Sequence, residues 1–94
     1  MDSNTYIDQL RKEHGDPYAM AVSYAAAGAE LMRLLTKVGL EGTILDQLVE
    51  NTASTLAMGL ATIIQAGNLP GMKIQKSADE YLDVLHAEAE SKVH

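Results

Sequence analysis

Two tyrosines and two cations near the N-terminus are the side chains whose types best suit ligand chemistry. Tyr6, Arg11 and Lys12 fall on a short predicted helix, and Tyr18 stands near the start of the next one. Aromatic faces stack on heterocyclic rings and cations hold phosphate, so this group is typical of a site for an anionic, nucleotide-like ligand. We expect such a site where an oligomer brings two protomers together. In the alternative interpretation, both rings pack at the edge of the core and both cations lie in solvent. The same two interpretations apply to a second cationic pair, Lys73 and Lys76.

A metal site is the next candidate. Asp83, His86 and Glu90 recur at steps of three and four, which places them on one face of a predicted helix. Leu82 and Leu85 mark the buried side of that helix, however, so a solvated histidine among acids is the simpler interpretation. We expect no metal ion and no other cofactor.

Residues suited to catalysis are present but scattered. Serine, histidine and acidic residues fall at helix ends as surface-type side chains, and no glycine-rich loop has a recognised phosphate-binding spacing. His14 and His94 stand apart from other candidates. We therefore predict a protein that acts by binding and has no catalytic residues.

The balance of acidic and basic residues limits the classes of partner that we expect. Thirteen acidic and seven basic residues give a net charge of -6 over 94 residues. Contact with nucleic acid or an anionic membrane needs clustered Lys and Arg, so we expect neither partner. There is no cysteine, which fits a reducing compartment. The N-terminus lacks the basic and apolar segments of a secretory signal, and no apolar run approaches a spanning length, so a soluble, cytoplasmic protein is expected.

Composition and periodicity predict one all-α domain over residues 1–94. The core must be aliphatic, since the chain has no Phe or Trp, and its abundant Ala and Met favour helices over strands. Asp16 and Pro17 form a strong helix start, and Gly15 a stop. Ser77 and Glu80 resemble a capping box for the last helix, and residues 67–76 are predicted to form a loop with a short extended segment. The predicted helices are 3–14, 17–38, 43–66 and 77–92.

The longest helical period lies in residues 43–66, which we expect to be the central element. Its apolar residues recur at steps of three and four and form one broad stripe. The short, glycine-flanked connection 39–42 predicts that the second and third helices fold back as an antiparallel hairpin. A line of small residues at a spacing of four would let another helix approach closely. That line consists of Ala53, Ala57 and Ala61.

Two long helices cover only one face of each other, so we expect a homodimer or higher oligomer, built as a helical bundle of paired hairpins. The predicted oligomer interface consists of Ala53, Ala57, Ala61, Leu56 and Leu60. The favoured function is regulation or inhibition of another protein through binding, with methionines as adaptable contacts and an acidic rim. The alternative is a protein that sequesters an anionic, nucleotide-like small molecule at a protomer interface.

Overall fold

The computed structural model describes residues 2–37 and 42–93, which form four α-helices. They are α1 (Ser3–His14), α2 (Asp16–Lys37), α3 (Thr43–Gly67) and α4 (Gly71–Val93). No β-strand occurs among these residues, so the predicted all-α class is confirmed. None of the helices in the described ranges combines the length and the apolar character needed to cross a membrane.

A single residue, Gly15, separates α1 from α2. Its φ of 95° lies in the left-handed region, which glycine enters without steric cost, and its amide donates to the Arg11 carbonyl oxygen at 2.8 Å. At the other end of α1, the Asp2 side chain caps the helix by accepting from the Thr5 amide at 2.7 Å. The two helices therefore follow each other without a loop, and the start of α2 lies beside the end of α1, where Tyr18 contacts His14.

The start of α4 differs from the predicted one. Helix α4 begins at Gly71, and the Ile74 amide already donates to the Pro70 carbonyl oxygen at 3.0 Å. Ser77 therefore lies inside the helix, and both the predicted capping box and the predicted extended segment are wrong. The physical reason is a helical period that begins earlier than expected, since Ile74 and Ala78 are one turn apart and both are buried.

The central element is α2 rather than α3, which corrects the expectation from periodicity. Helix α2 contacts each of the other three helices, and seven of its residues are buried. No described side chain of α3 is buried. Small residues on α2 let neighbouring helices approach, whereas the large residues of α3 reach only the edge of the core. The core consists of Leu10, Tyr18, Ala19, Ala21, Val22, Ala25, Ala26, Ile74 and Ala78.

Two glycines mark where α2 and α3 touch. A Cβ atom built on Gly28 would lie 3.5 Å from both Cδ atoms of Leu56, an ordinary contact. A Cβ atom on Gly59 would lie 2.8 Å from Tyr24 Cζ and closer still to its hydroxyl oxygen. Tyr24 faces Gly59, while Gly28 faces Leu56. From the first contact to the second, the residue number therefore rises along α2 and falls along α3. The predicted connection 39–42 lies outside the described residues except for Gly42.

The helices form a broad and thin arrangement. The Cα atoms span 45 × 41 × 15 Å, and the smallest extent corresponds to two helix layers at an interaxial distance of about 8–10 Å. Large apolar side chains consequently remain exposed on three of the four helices. They are Met20, Leu31, Leu34, Ile44, Leu48, Met58 and Met72.

Because Ile74 is fully buried while Met72 is 91% exposed, shortening these two side chains should have unequal effects. Ile74→Ala should lower the free energy of unfolding by about 2–4 kcal/mol, since it leaves a cavity in the core. Met72→Ala, two residues away, should change it by less than about 0.5 kcal/mol. Denaturant unfolding of both variants checks this, and equal losses would contradict the position of α4.

The contacts of Gly28 and Gly59 predict opposite effects of an added methyl group. Gly28→Ala should raise the free energy of unfolding by up to about 1 kcal/mol, because alanine favours the helix and has room. Gly59→Ala should lower it by about 1 kcal/mol or more, because the ring of Tyr24 must shift. Thermal and denaturant unfolding measure both. Equal stabilisation by the two substitutions would show that Tyr24 does not pack against Gly59.

Candidate functional site

A polar groove runs between α1 and α4 and is closed at its base by the start of α2. It encloses about 440 Å³. The residues that α1 and α4 contribute each follow the spacing i, i+3, i+4 and i+7, because the two helices turn one face toward each other. The lining residues are Tyr6, Gln9, Leu10, Glu13, His14, Tyr18, Lys73, Lys76, Ser77 and Glu80.

Tyr6 joins the two helices at one end of the groove, where the lining residues of α1 begin and those of α4 end. Its hydroxyl group donates to Glu80 Oε2 at 2.9 Å and also lies 3.2 Å from the Ser77 carbonyl oxygen. Its ring stacks on Tyr81 with centroids 5.9 Å apart and an interplanar angle of 7°. Burial, followed by the nearby Glu80 carboxylate, raises the pKa of the Tyr6 hydroxyl from 10.0 to about 12. Tyr6 therefore has a structural role in holding α1 on α4.

Tyr18 and His14 form the base of the groove. Tyr18 is 3% exposed, and its hydroxyl oxygen lies 2.9 Å from Ser77 Oγ. The His14 ring lies against the Tyr18 ring, with centroids 4.3 Å apart and a tilt of 30°. His14 is exposed, and its Nε2 lies 3.8 Å from Glu13 Oε2. The buried ring of Tyr18 thus lies against an imidazole ring that is itself exposed.

The cations of the groove come from α4. Lys73 and Lys76 line it, and within residues 2–37 and 42–93 neither ammonium group has a carboxylate within ion-pair distance. The predicted cations lie elsewhere. Arg11 pairs with Asp8 at 2.7 Å and with Asp16 at 3.1 Å, and Lys12 is exposed outside the lining.

The structure therefore brings together half of the predicted ligand-binding group. Tyr6 and Tyr18 line one groove, whereas Arg11 and Lys12 do not. Lys73 and Lys76 take their place on the same helix face as Ser77 and Glu80. This face was not predicted from the sequence, because residues 67–76 were expected to form a loop. The usable signal was the spacing from Ile74 to Ala78, Tyr81 and Leu85, which continues the last helix upstream. Whether the groove binds a ligand stays a prediction.

A second cleft, of about 220 Å³, lies between α2 and α3. Four of the five residues predicted to form an oligomer interface line it, and the fifth, Ala61, is exposed on α3 beyond it. Leu56 and Leu60 are partly buried within the chain, while Ala53 and Ala57 are exposed. The lining residues are Tyr24, Ala25, Gly28, Ala29, Met32, Ala53, Leu56, Ala57, Leu60 and Gln75.

The acids and histidine considered for a metal site do not converge. His86 Nε2 lies 3.0 Å from Glu30 Oε2 on α2, and Glu30 also binds Arg33. The Arg33 guanidinium, followed by His86, lowers the pKa of Glu30 to about 2. Over the described part of the chain, no three His, Cys, Asp or Glu side chains are placed to hold a metal ion.

Comparison with protein families, curated proteins and solved structures gives no significant match to this chain. Its function is therefore inferred from the geometry of its own residues.

The hydrogen bonds of Tyr6 predict a pH-dependent contribution to stability. Tyr6→Phe should lower the free energy of unfolding by about 1 kcal/mol at neutral pH, because the hydroxyl group loses its carboxylate and carbonyl partners. Since the pKa in the folded protein is raised to about 12, this contribution is present in full below pH 10. It should shrink as the pH rises from 10 through 12.

Unfolding of wild type and Tyr6→Phe in denaturant at neutral pH and at alkaline pH measures this difference. The other three tyrosines are common to both proteins, so their titration largely cancels. A difference that stays constant across this pH range would contradict a protonated Tyr6 bound to Glu80.

Proposed function

We propose that the chain is a non-enzymatic binding protein that works as a homo-oligomer, in which two copies meet at the cleft between α2 and α3. In this arrangement α2 and α3 are an antiparallel hairpin, as the order of the contacts of Tyr24 with Gly59 and of Gly28 with Leu56 supports. Two such hairpins, related by a twofold axis, would form a helical bundle.

The exposed area supports association. The chain has an accessible surface of 6592 Å², whereas a folded monomer of 10.1 kDa typically exposes about 5,300 Å². The excess, about 1,300 Å², exceeds the roughly 800 Å² that each partner buries in a standard protein interface. A second copy can therefore cover a full interface without exhausting this excess.

The absence of charged residues in the α2–α3 cleft is the main observation that supports self-association at this cleft. None of its lining residues is an acid, a lysine, an arginine or a histidine. Two copies of a chain with a net charge of -6 repel each other, and the repulsion is weakest where no carboxylate must be buried. The groove between α2 and α4, in contrast, carries Glu30 and His86, and a groove farther along α2 and α3 carries Asp46 and Glu50.

The small side chains along α3 give the cleft a shape that suits a helix. Ala53, Ala57 and Ala61 recur at a spacing of four and are all exposed. Alanine keeps the backbone of a facing helix within close packing distance, where many weak contacts add up. A helix of the second copy thus fits the cleft. The proposed interface consists of the same residues that were predicted from the sequence, Ala53, Ala57, Ala61, Leu56 and Leu60.

The role proposed for this assembly is regulation or inhibition of another protein. Met20, Met58 and Met72 are exposed on three different helices, and methionine adapts its shape to partners that differ. The net negative charge of the chain favours a partner with a basic surface.

A charge at Ala57 tests the interface. Ala57→Glu should reduce the native mass to that of one chain, or unfold a protein that needs its partner, because an unpaired carboxylate would be buried in the contact. Gln65→Glu is the matched control, since it adds the same charge to an exposed position of α3 outside the cleft. Native mass spectrometry and thermal unfolding measure both variants.

The control should keep the wild-type mass, and its melting temperature should fall only slightly, because a negative charge in the last turn of α3 opposes the helix dipole. An Ala57→Glu protein with the mass and stability of wild type would refute this interface.

A further inference from the structure

We propose that the groove between α1 and α4 binds a small anion that carries a heteroaromatic ring, with Lys73 and Lys76 holding the anionic group. This goes beyond self-association and does not depend on it, because one copy of the chain already supplies both lysines and the His14 ring to the groove. It also differs from the site predicted from the sequence, which used Arg11 and Lys12 and was expected to need a protomer interface.

The two lysines are the first reason to expect that the groove binds an anionic group. They lie three residues apart on one face of α4, and both residues line the groove. Both arginines in the described residues are paired with acids, Arg11 with Asp8 and Arg33 with Glu30. Two adjacent unpaired ammonium groups in an acidic protein repel each other, and a phosphate-like group between them would relieve that repulsion.

The ring position is the second reason. His14 offers a solvent-facing planar ring that is backed by the buried ring of Tyr18 at 4.3 Å. A flat ligand ring placed on His14 would extend this stack without moving either side chain. The Tyr6 ring already stacks on Tyr81, so we assign it to the wall of the groove and not to ligand stacking.

The acidic residues of the groove specify the ligand further. Glu80 accepts the Tyr6 hydrogen bond at 2.9 Å, which spreads part of its charge over a donor. Glu13 and Gln9 lie on the α1 side, where a carboxylate would repel a plain anion but would accept a hydrogen bond from a ring amino group. A ring with N–H donors joined to a phosphate therefore fits both walls, and an aromatic phosphate without such donors fits only the α4 wall.

The groove has the size of a ligand site. Its volume of about 440 Å³ lies within the range of about 300–1,000 Å³ that is usual for small-molecule pockets. Adenosine monophosphate carries one phosphate, one heteroaromatic ring and an exocyclic amino group, so we choose it as the probe. Adenosine and inorganic phosphate are its two partial counterparts.

Calorimetric titration of the full chain tests the proposal. Adenosine monophosphate should bind more tightly than either adenosine or phosphate alone. The Lys73→Ala/Lys76→Ala double variant should bind it at least about tenfold more weakly, because two charge-assisted contacts are lost. Lys12→Ala should bind as wild type does, since Lys12 is an exposed lysine outside the groove that likewise has no ion-pair partner among the described residues.

Any one of the following results would overturn the proposal. No binding of adenosine monophosphate at millimolar concentration would exclude the site. An equal loss of affinity in Lys12→Ala would mean general charge attraction, and equal affinity for phosphate would remove the role of the ring.

Lys73 and Lys76 are exposed helix residues, so alanine at these positions should leave the fold intact, which thermal unfolding checks. Chemical-shift changes at the amides of Gln9, His14 and Ser77 on titration would place the ligand in the groove.

Discussion

The close approach of three helices to the small residues of α2 is the interaction on which the structure depends. Between Asp16 and Gly28, six of the seven buried residues are alanine, glycine or valine, and the helices therefore pack with little side-chain volume between them. Each such contact removes less apolar surface from water than a leucine would, at roughly 25 cal/mol per Å². Stability must then come from covering α2 on several sides, and the large residues that fill this shared core are Leu10, Tyr18 and Ile74.

A core of this kind is thin, and its thinness creates two different surfaces. Helix α3 has one side against α2 and leaves the alanine line at Ala53 and Ala57 exposed beside an uncharged cleft. Helices α1 and α4 meet across a polar groove that is bridged by the Tyr6 hydroxyl, and Tyr18 of α2 contacts Ser77 of α4 at its base. Apolar surface without charge favours contact with a second copy, whereas unpaired lysines in a groove favour an anion. The two proposed activities therefore use separate parts of the chain.

Much of the fold was accessible from the sequence because some signals are local. Gly15, followed by Asp16 and Pro17, separates α1 from α2 to within a residue. Two predictions were wrong because they depend on contacts between residues that are distant in the sequence. Pro70 and Gly71 suit a turn as well as a helix start, and only burial of Ile74 against α2 decides between them. Periodicity also measures how apolar a helix is, not what covers it, so α3 looked central. Lys73 and Lys76 were missed as part of the groove because their position depends on where α4 begins.

We infer that this core is too thin to leave a single chain with an ordinary surface. The most direct test is the native mass of the wild-type protein across a range of concentrations, followed by its mass after denaturation. We expect an assembly of two or more copies of the 10.1 kDa chain under native conditions and a single chain after unfolding. A native species of one chain at every concentration would contradict this inference, and the excess surface would then need another explanation.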